Sequence, residues 1–294
     1  MTRLNWLYPP GVPVLQNIVD KSVAAALETF SAKKLSAEDL AVTLADLRDV
    51  TNPFFANHRG AAPAYPASVI KLFYLVAAHQ QMADGQLADT PELRRALHNM
   101  IVNSGNEATG YVLDVLTGTT SGPELPSAEL AAWHDRRNAV NRYFHARGYW
   151  EINANRKTWH DGPYGRDQQA VEQFTPPKNS LTSNATARLL VEIFSGQCVS
   201  AARSAQMLEL MRRNFVDPEH ADQQACEFIG AALPAGAKLW SKAGYMSVAR
   251  HDAALVELSG GKKFALVIFT ERHSEEKEII PFIARQIISG FLDE

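Results

Sequence analysis

The chain has 294 residues, of which 46% are hydrophobic and 21% charged, and a formal net charge of −3. A chain this long buries a sizeable core without staples, and the balance is ordinary for a globular protein. There is no basic run or basic-aromatic stripe for nucleic acid and no strong field for an anionic membrane, and no apolar run reaches the ~18–20 residues of a membrane span.

Met1 to Pro13 lacks the charged, apolar and small-residue blocks of a signal peptide. As it reads, the chain is expected in the cytoplasm, or in the periplasm or outside the cell if a leader was removed. Val14 to Phe30 carries Leu15, Ile18, Val19, Val23, Ala26 and Leu27 at helical spacing and predicts an amphipathic helix. Ala41 to Leu47 alternates as a strand. Ser68 to Met82 predicts a strongly apolar helix, Pro91 to Val102 and Glu107 to Leu116 two short ones, and Ser127 to Ala146 a longer, charged one. From Gly148 to Asn179 the pattern dissolves into Trp, Asn, Gly, Pro and Asp. A loop of that length is uncommon in a compact domain unless it is functional.

Helical period returns at Ser183 to Phe194 and Ala201 to Arg213. Lys238 to Ser241, Asp252 to Leu258 and Phe264 to Glu271 read as strands, with Gly260-Gly261 turning a hairpin between the last two. A final helix spans about Glu275 to Leu292. Strands near both ends and helices between them predict an α/β (α+β) fold. An antiparallel sheet from both chain ends is flanked by helices, and a mostly helical lobe is inserted. The expected lobes are 1–60 with 215–294, and 61–214. Cys198 and Cys226 sit in expected helices and read as buried free thiols, with a disulfide left open. The nine histidines form no H-E-x-x-H and no Cys/His cluster, so no metal is expected.

Four serines stand three residues before a lysine: Ser31/Lys34, Ser68/Lys71, Ser259/Lys262 and Ser274/Lys277. Context separates them. The first lies at a polar helix end, the third straddles the hairpin turn, and Ser274 reads as the N-cap of the last helix. Only Ser68 heads a buried apolar helix, Leu72 to Ala78. Residues at i and i+3 share a helix face, so Lys71 reaches the Ser68 hydroxyl. A partly desolvated lysine loses basicity and accepts a proton near neutrality. Downstream, Ser104-Gly105-Asn106 opens a helix and Lys242-Ala243-Gly244 follows a strand.

In that order and context the three segments resemble the S-x-x-K, S-D-N and K-T-G trio of class A serine β-lactamases and low-molecular-mass D,D-peptidases, the penicillin-recognising serine hydrolases. The resemblance runs from about Val14 to Leu292 and includes the strings around Ser104 and the terminal strands. It implies a β-lactamase-like domain over 1–294 that cleaves an amide, a β-lactam or a related small molecule, through an acyl-enzyme on Ser68. It implies no cofactor and leaves the oligomeric state open. By the same resemblance Ser104 passes a proton to the leaving nitrogen and Asn106 holds the substrate's amide carbonyl. Lys242 supplies positive potential for a carboxylate and for Ser104. The N–H groups of Ser68 and Tyr245 form the oxyanion hole, on a substrate-binding strand that includes Ala243 and Gly244.

The departures matter. Gly105 replaces the aspartate of class A and is more like the D,D-carboxypeptidases. Ala243 replaces a hydroxyl that binds the substrate carboxylate. Trp150-Glu151-Ile152-Asn153-Ala154-Asn155 resembles the class A loop in which a glutamate and an asparagine hold the deacylating water, which makes Glu151 and Asn155 candidates. A rival register places Trp159-His160-Asp161 there and leaves no glutamate. A D,D-peptidase and a catalytically weak binding or sensor module stay open beside the β-lactamase-like reading.

Overall fold

The computed structural model describes residues 13–159, 161–216 and 222–293. The reading of Met1 to Pro13 as leaderless therefore falls, apart from Pro13, outside the described residues, and so does His160 of the rival register. Helix α1 (Pro13–Thr29) buries Leu15, Ile18, Val19, Val23 and Ala26, the stripe its spacing predicts. Strand β1 (Leu40–Asp46) is buried at every position, because it is central and covered on both faces. Strand β2 (Phe54–His58) has no counterpart among the expected elements. It is a half-exposed edge strand whose sequence lacks the apolar alternation that marks a buried one.

The helices that follow are α2 (Lys71–Ala83), entered through the 3-10 turn Ala67–Ile70, α3 (Pro91–Val102) and α4 (Asn106–Thr117). The expected helix from Ser127 to Ala146 is two, α5 (Ser127–Arg137) and α6 (Ala139–His145). Asn138 sits at the break. Its amide donates to the His134 carbonyl at 3.0 Å, and its oxygen accepts from Asn141 at 2.9 Å and from Asn155 at 2.8 Å. An asparagine that bonds locally in this way competes with the helix ladder. The expected loop holds α7 (Gly165–Gln173) and is stitched by a bridge between Asn153 and Ser180.

Next come α8 (Ser183–Phe194), α9 (Ala201–Met211), the two-residue strand β3 (Arg212–Arg213) and the short α10 (Gln223–Cys226). Strands β4 (Lys238–Met246), β5 (Ala249–Glu257) and β6 (Lys263–Glu271) lead to α11 (Ile279–Leu292). β4 runs five residues past its expected end, so Lys242-Ala243-Gly244 lies inside the strand, with Lys242 opposite Ala253 and Gly244 opposite His251. The last helix starts after its expected cap, because the Ser274 hydroxyl donates to the Ser247 carbonyl at 2.7 Å and caps nothing.

The sheet is antiparallel, in the order β2-β1-β6-β5-β4-β3. The chain divides into two compact units, 1–69 with 182–294, and 70–181. The sequence places α8 and α9 in the helical lobe, but they belong to the first unit. The reason is visible at α8, where Thr43 of β1 is hydrogen-bonded to Ser183 and Asn184, both at 2.8 Å. In the same unit α1 and α11 cover the sheet with a core that includes Val19, Val42, Phe264, Leu266, Ile283 and Ile287. Each such side chain contributes roughly 1.5–3 kcal/mol when withdrawn from water. In the second unit α2 is almost wholly buried, from Leu72 through Ala78. No disulfide joins the cysteines. Cys198 is buried in a bend after α8, whereas Cys226, expected buried, is exposed at the end of α10.

Candidate active site

In the first unit Ser68 stands half-buried in the turn Ala67–Ile70. Ala67 before it has φ of 44°, a left-handed conformation that a non-glycine residue adopts only under constraint. β4 supplies that constraint. A Cβ on Gly244 would lie 2.8 Å from the Pro66 carbonyl oxygen and 3.0 Å from the Ser68 nitrogen. The glycine is what lets the strand run against the Pro66–Ser68 backbone. Both obstructing atoms are main chain, so Gly244→Ala is expected to destabilise the protein by about 1–3 kcal/mol. An unchanged midpoint in chemical denaturation would contradict this.

Lys242 of β4 is fully buried. Its ammonium donates to the Gln224 side chain on α10 and to the Ala243 carbonyl at 2.7 Å. Ala243 is buried in the core cluster. Tyr245 is 52% exposed and donates its hydroxyl to Glu275 at 2.9 Å. Gln224 was not foreseen, since a four-residue helix has no period to read.

His251 of β5 ties the segment before Ser68 to the sheet. Its Nδ1 accepts from the Thr270 N–H at 3.0 Å, so Nε2 carries the proton and donates to the Tyr65 carbonyl at 2.9 Å. Complete burial keeps the ring neutral, its pKa pushed down to about 4. The unfolded chain protonates near 6.5. It therefore binds more protons than the fold between those values, and this contribution is intact above pH 6.5 and lost as pH falls toward 4. It amounts to about 3 kcal/mol over the window. Next along the strand, burial pushes Asp252 up to about 7, so its contribution runs the other way and is lost as pH rises from about 4 to 7. The comparison of wild type with His251→Asn isolates the histidine. The acid slope of stability between pH 6.5 and 4.5 is expected to flatten in the variant, and an unchanged slope would remove His251 as its source.

In the second unit two of the expected segments converge on one amine. Lys71 opens α2 and is fully buried. Its Nζ donates to the Ser104 carbonyl at 2.7 Å, to the Ser104 hydroxyl at 3.2 Å and to Asn106 Oδ1 at 2.9 Å. Burial pushes its pKa down to about 7, against a smaller opposing pull from Glu107. All three acceptors are neutral, so nothing in direct contact holds the charge on the amine. Ser104 has φ of 57°, which turns both its carbonyl and its hydroxyl to the lysine. At Gly105 a Cβ would fall 1.8 Å from Asn99 Oδ1, so the Asn99 side chain occupies the space where an aspartate would start.

The two loop candidates are placed elsewhere. Glu151 is exposed in a turn and is bonded to none of Lys71, Ser104 and Asn106. Asn155 is buried and donates to Asn138, while Asn179 accepts from its backbone N–H at 3.2 Å. What meets Asn106 is the Trp159 carbonyl, at 3.4 Å from Nδ2. Trp159 is the first residue of the rival register, whose His160 lies outside the described residues. Glu107 is not among the expected site residues, and its adjacency to Asn106 is the one signal for it. Among the described residues no group of three or more His, Cys, Asp or Glu side chains is placed to hold a metal ion, and no helix is long and apolar enough to cross a membrane.

The arrangement supplies a hydroxyl at the head of a helix and, three residues on along the same helical run, an amine that is half unprotonated near neutrality. Beside that amine stand a second hydroxyl and an amide. Residue types of this kind serve as nucleophile, proton acceptor and proton relay in acyl transfer. Residues 88–291 match the family described as the β-lactamase enzyme family. A solved β-lactamase from Sphaerobacter thermophilus DSM 20745 is similar with a TM-score of 0.68 and 19% identity, over 92% of this chain and 98% of its own. PBP-A is similar with a TM-score of 0.68 and 19% identity, over 98% and 100%. A β-lactamase from Xanthomonas campestris pv. campestris reaches 0.70 at 15% identity, over 94% and 99%. At these identities the likeness is one of fold. No curated protein sequence matches.

Proposed function

The chain belongs to the β-lactamase enzyme family, and from that premise we propose that it is a serine hydrolase that opens a small-molecule amide through an ester on Ser68. The observation that carries the reading is Lys71, buried, with a pKa near 7 and its Nζ on Ser104 and Asn106, one helical turn after Ser68. In the proposed sequence Ser68 Oγ attacks the amide carbonyl carbon and gives its proton to Lys71. The oxyanion that forms is met by the N–H groups of Ser68 and Tyr245; one such donor is typically worth about 3 kcal/mol. The C–N bond breaks, and the Ser104 hydroxyl delivers the proton to the leaving nitrogen. Asn106 holds the substrate's amide. Lys242 supplies positive potential for a carboxylate, without the hydroxyl that Ala243 lacks. Water then cleaves the ester and restores Ser68.

Gly105 and the position of Glu151 favour a second reading, a D,D-peptidase-type enzyme with slow deacylation, because among the described residues no carboxylate is hydrogen-bonded to Lys71 or Asn106 to orient the water. PBP-A supports the comparison, since a variant of it has been solved as an acyl-enzyme complex with penicillin G. Intact mass spectrometry with a fluorescent penicillin tests both. A transient adduct supports a lactamase, a persistent one the peptidase type, and none with either penicillin or a fluorophosphonate would sink the serine mechanism. Glu151→Gln is expected to leave turnover within about twofold, as a solvated loop residue does; a trapped adduct appearing only in that variant would reinstate Glu151 as the base.

A further inference from the structure

Beside Asn106 the second unit opens into a cleft of about 460 Å³. One wall is α4, with Glu107 and Tyr111, and the other is the segment that bears Trp159, Asp161 and Tyr164. Tyr111 and Tyr164 are 43% and 57% exposed. The Trp159 and Tyr164 rings meet edge to face, with centroids 5.7 Å apart.

The charges in this cleft are uneven. Asp114 at its floor is neutralised by Lys157 at 2.6 Å and Arg137 at 2.9 Å. Glu107 and Asp161 are exposed and have no ion-pair partner among the described residues. The walls thus join open aromatic faces to two carboxylates outside any ion pair, of which Glu107 also feels the Lys71 amine at a distance. The structure also contains an internal example of what they attract, for the Lys157 ammonium lies 5.6 Å from the Trp159 ring centre. Thr158, on the same wall, is 7% exposed, and its hydroxyl has no hydrogen-bond partner among the described residues.

We propose that this cleft is a subsite for a cationic arm of the substrate, an ammonium group carried next to an aromatic or alkyl segment. The ammonium faces Glu107 and Asp161, and the apolar segment lies among Tyr111, Trp159 and Tyr164. Asn106 belongs both to the cleft and to the Lys71 cluster, so the arm extends from the acyl side of the scissile amide. In that attachment the proposal rests on the reading of the chain as an amide hydrolase. An anionic arm is disfavoured by the same carboxylates.

Binding is tested apart from chemistry. Benzylamine, benzyl alcohol and phenylacetate are titrated into Ser68→Ala full-length protein by nuclear magnetic resonance. Benzylamine is expected to bind about fivefold more tightly than benzyl alcohol, and phenylacetate more weakly than either. The Glu107→Gln/Asp161→Asn double variant is expected to erase the difference. In a kinetic arm, a penicillin with an ammonium on its side chain is expected to acylate the wild type about fivefold faster than benzylpenicillin, and Asp161→Asn to shrink that ratio. Equal binding of the three probes, or a preference that survives in the double variant, overturns the subsite. Selective benzylamine binding with no acylation by either penicillin or by a fluorophosphonate leaves the subsite standing and removes the hydrolase reading.

Discussion

Ser68→Ala is expected to abolish the covalent adduct and to lower hydrolytic turnover by about 10³-fold or more. Of the four serines that precede a lysine by three residues, Ser31 is exposed in a 3-10 turn, Ser259 sits in the β5–β6 turn, and Ser274 spends its hydroxyl on the Ser247 carbonyl. Ser68 alone stands in a constrained turn that feeds a buried helix. Peptide mapping after treatment with a fluorophosphonate reads the result directly. Labelling at Ser31, Ser259 or Ser274, or an adduct that survives in Ser68→Ala, would overturn the assignment. The variant removes only a half-buried hydroxyl, so its thermal midpoint serves as the control for folding.

On the proposed mechanism, in which the unprotonated Lys71 amine accepts the proton, the rate of acylation is expected to fall tenfold for each pH unit below about 7 and to level off above it. Lys71→Ala is expected to lose about 10²–10⁴ of the acylation rate. Lys71→Arg should fail similarly, since a guanidinium keeps its proton. Glu107 opposes the effect of burial and raises the amine's pKa. Removing its charge in Glu107→Gln should therefore shift the inflection to lower pH without flattening the profile. A rate independent of pH from 8 to 5.5 in wild type would exclude Lys71 as the base.

How much of this was legible follows from where each signal lives. Ser68 and Lys71 could be chosen over three rivals because Leu72 to Ala78 are apolar on every side of the helix, a pattern that only burial explains. The strands of the sheet were legible where they are covered on both faces, as at β6, and missed at β2, which is half exposed. β4 was cut short because Lys242 and Gly244 are commonplace at strand ends. Only its pairing with β5 shows that the pair lies mid-strand, where the glycine serves a close approach and not a turn. Glu151 is a candidate because its spacing to Asn155 resembles that of a known loop, and loop spacing does not reveal which carbonyl or carboxylate folds back on the helix. Trp159 meets Asn106 through its backbone oxygen, a contact that side-chain chemistry does not encode.

The pairing of β1 with β6, Leu40 opposite Thr270, has a consequence for how the chain is made. The second unit is one uninterrupted stretch, so all of its partners have left the ribosome while the first unit still lacks four of the six strands of its sheet. During that interval β1, every residue of which ends up buried, offers an open edge to whatever strand is nearby. Sequence separations this large slow folding and lengthen exposure to aggregation. Yield in a cell is therefore expected to depend on how long residues 40–46 wait for residues 263–271. Slower translation between them, or the loss of a chaperone that shields extended apolar segments, costs soluble protein without any change in the stability of the finished molecule.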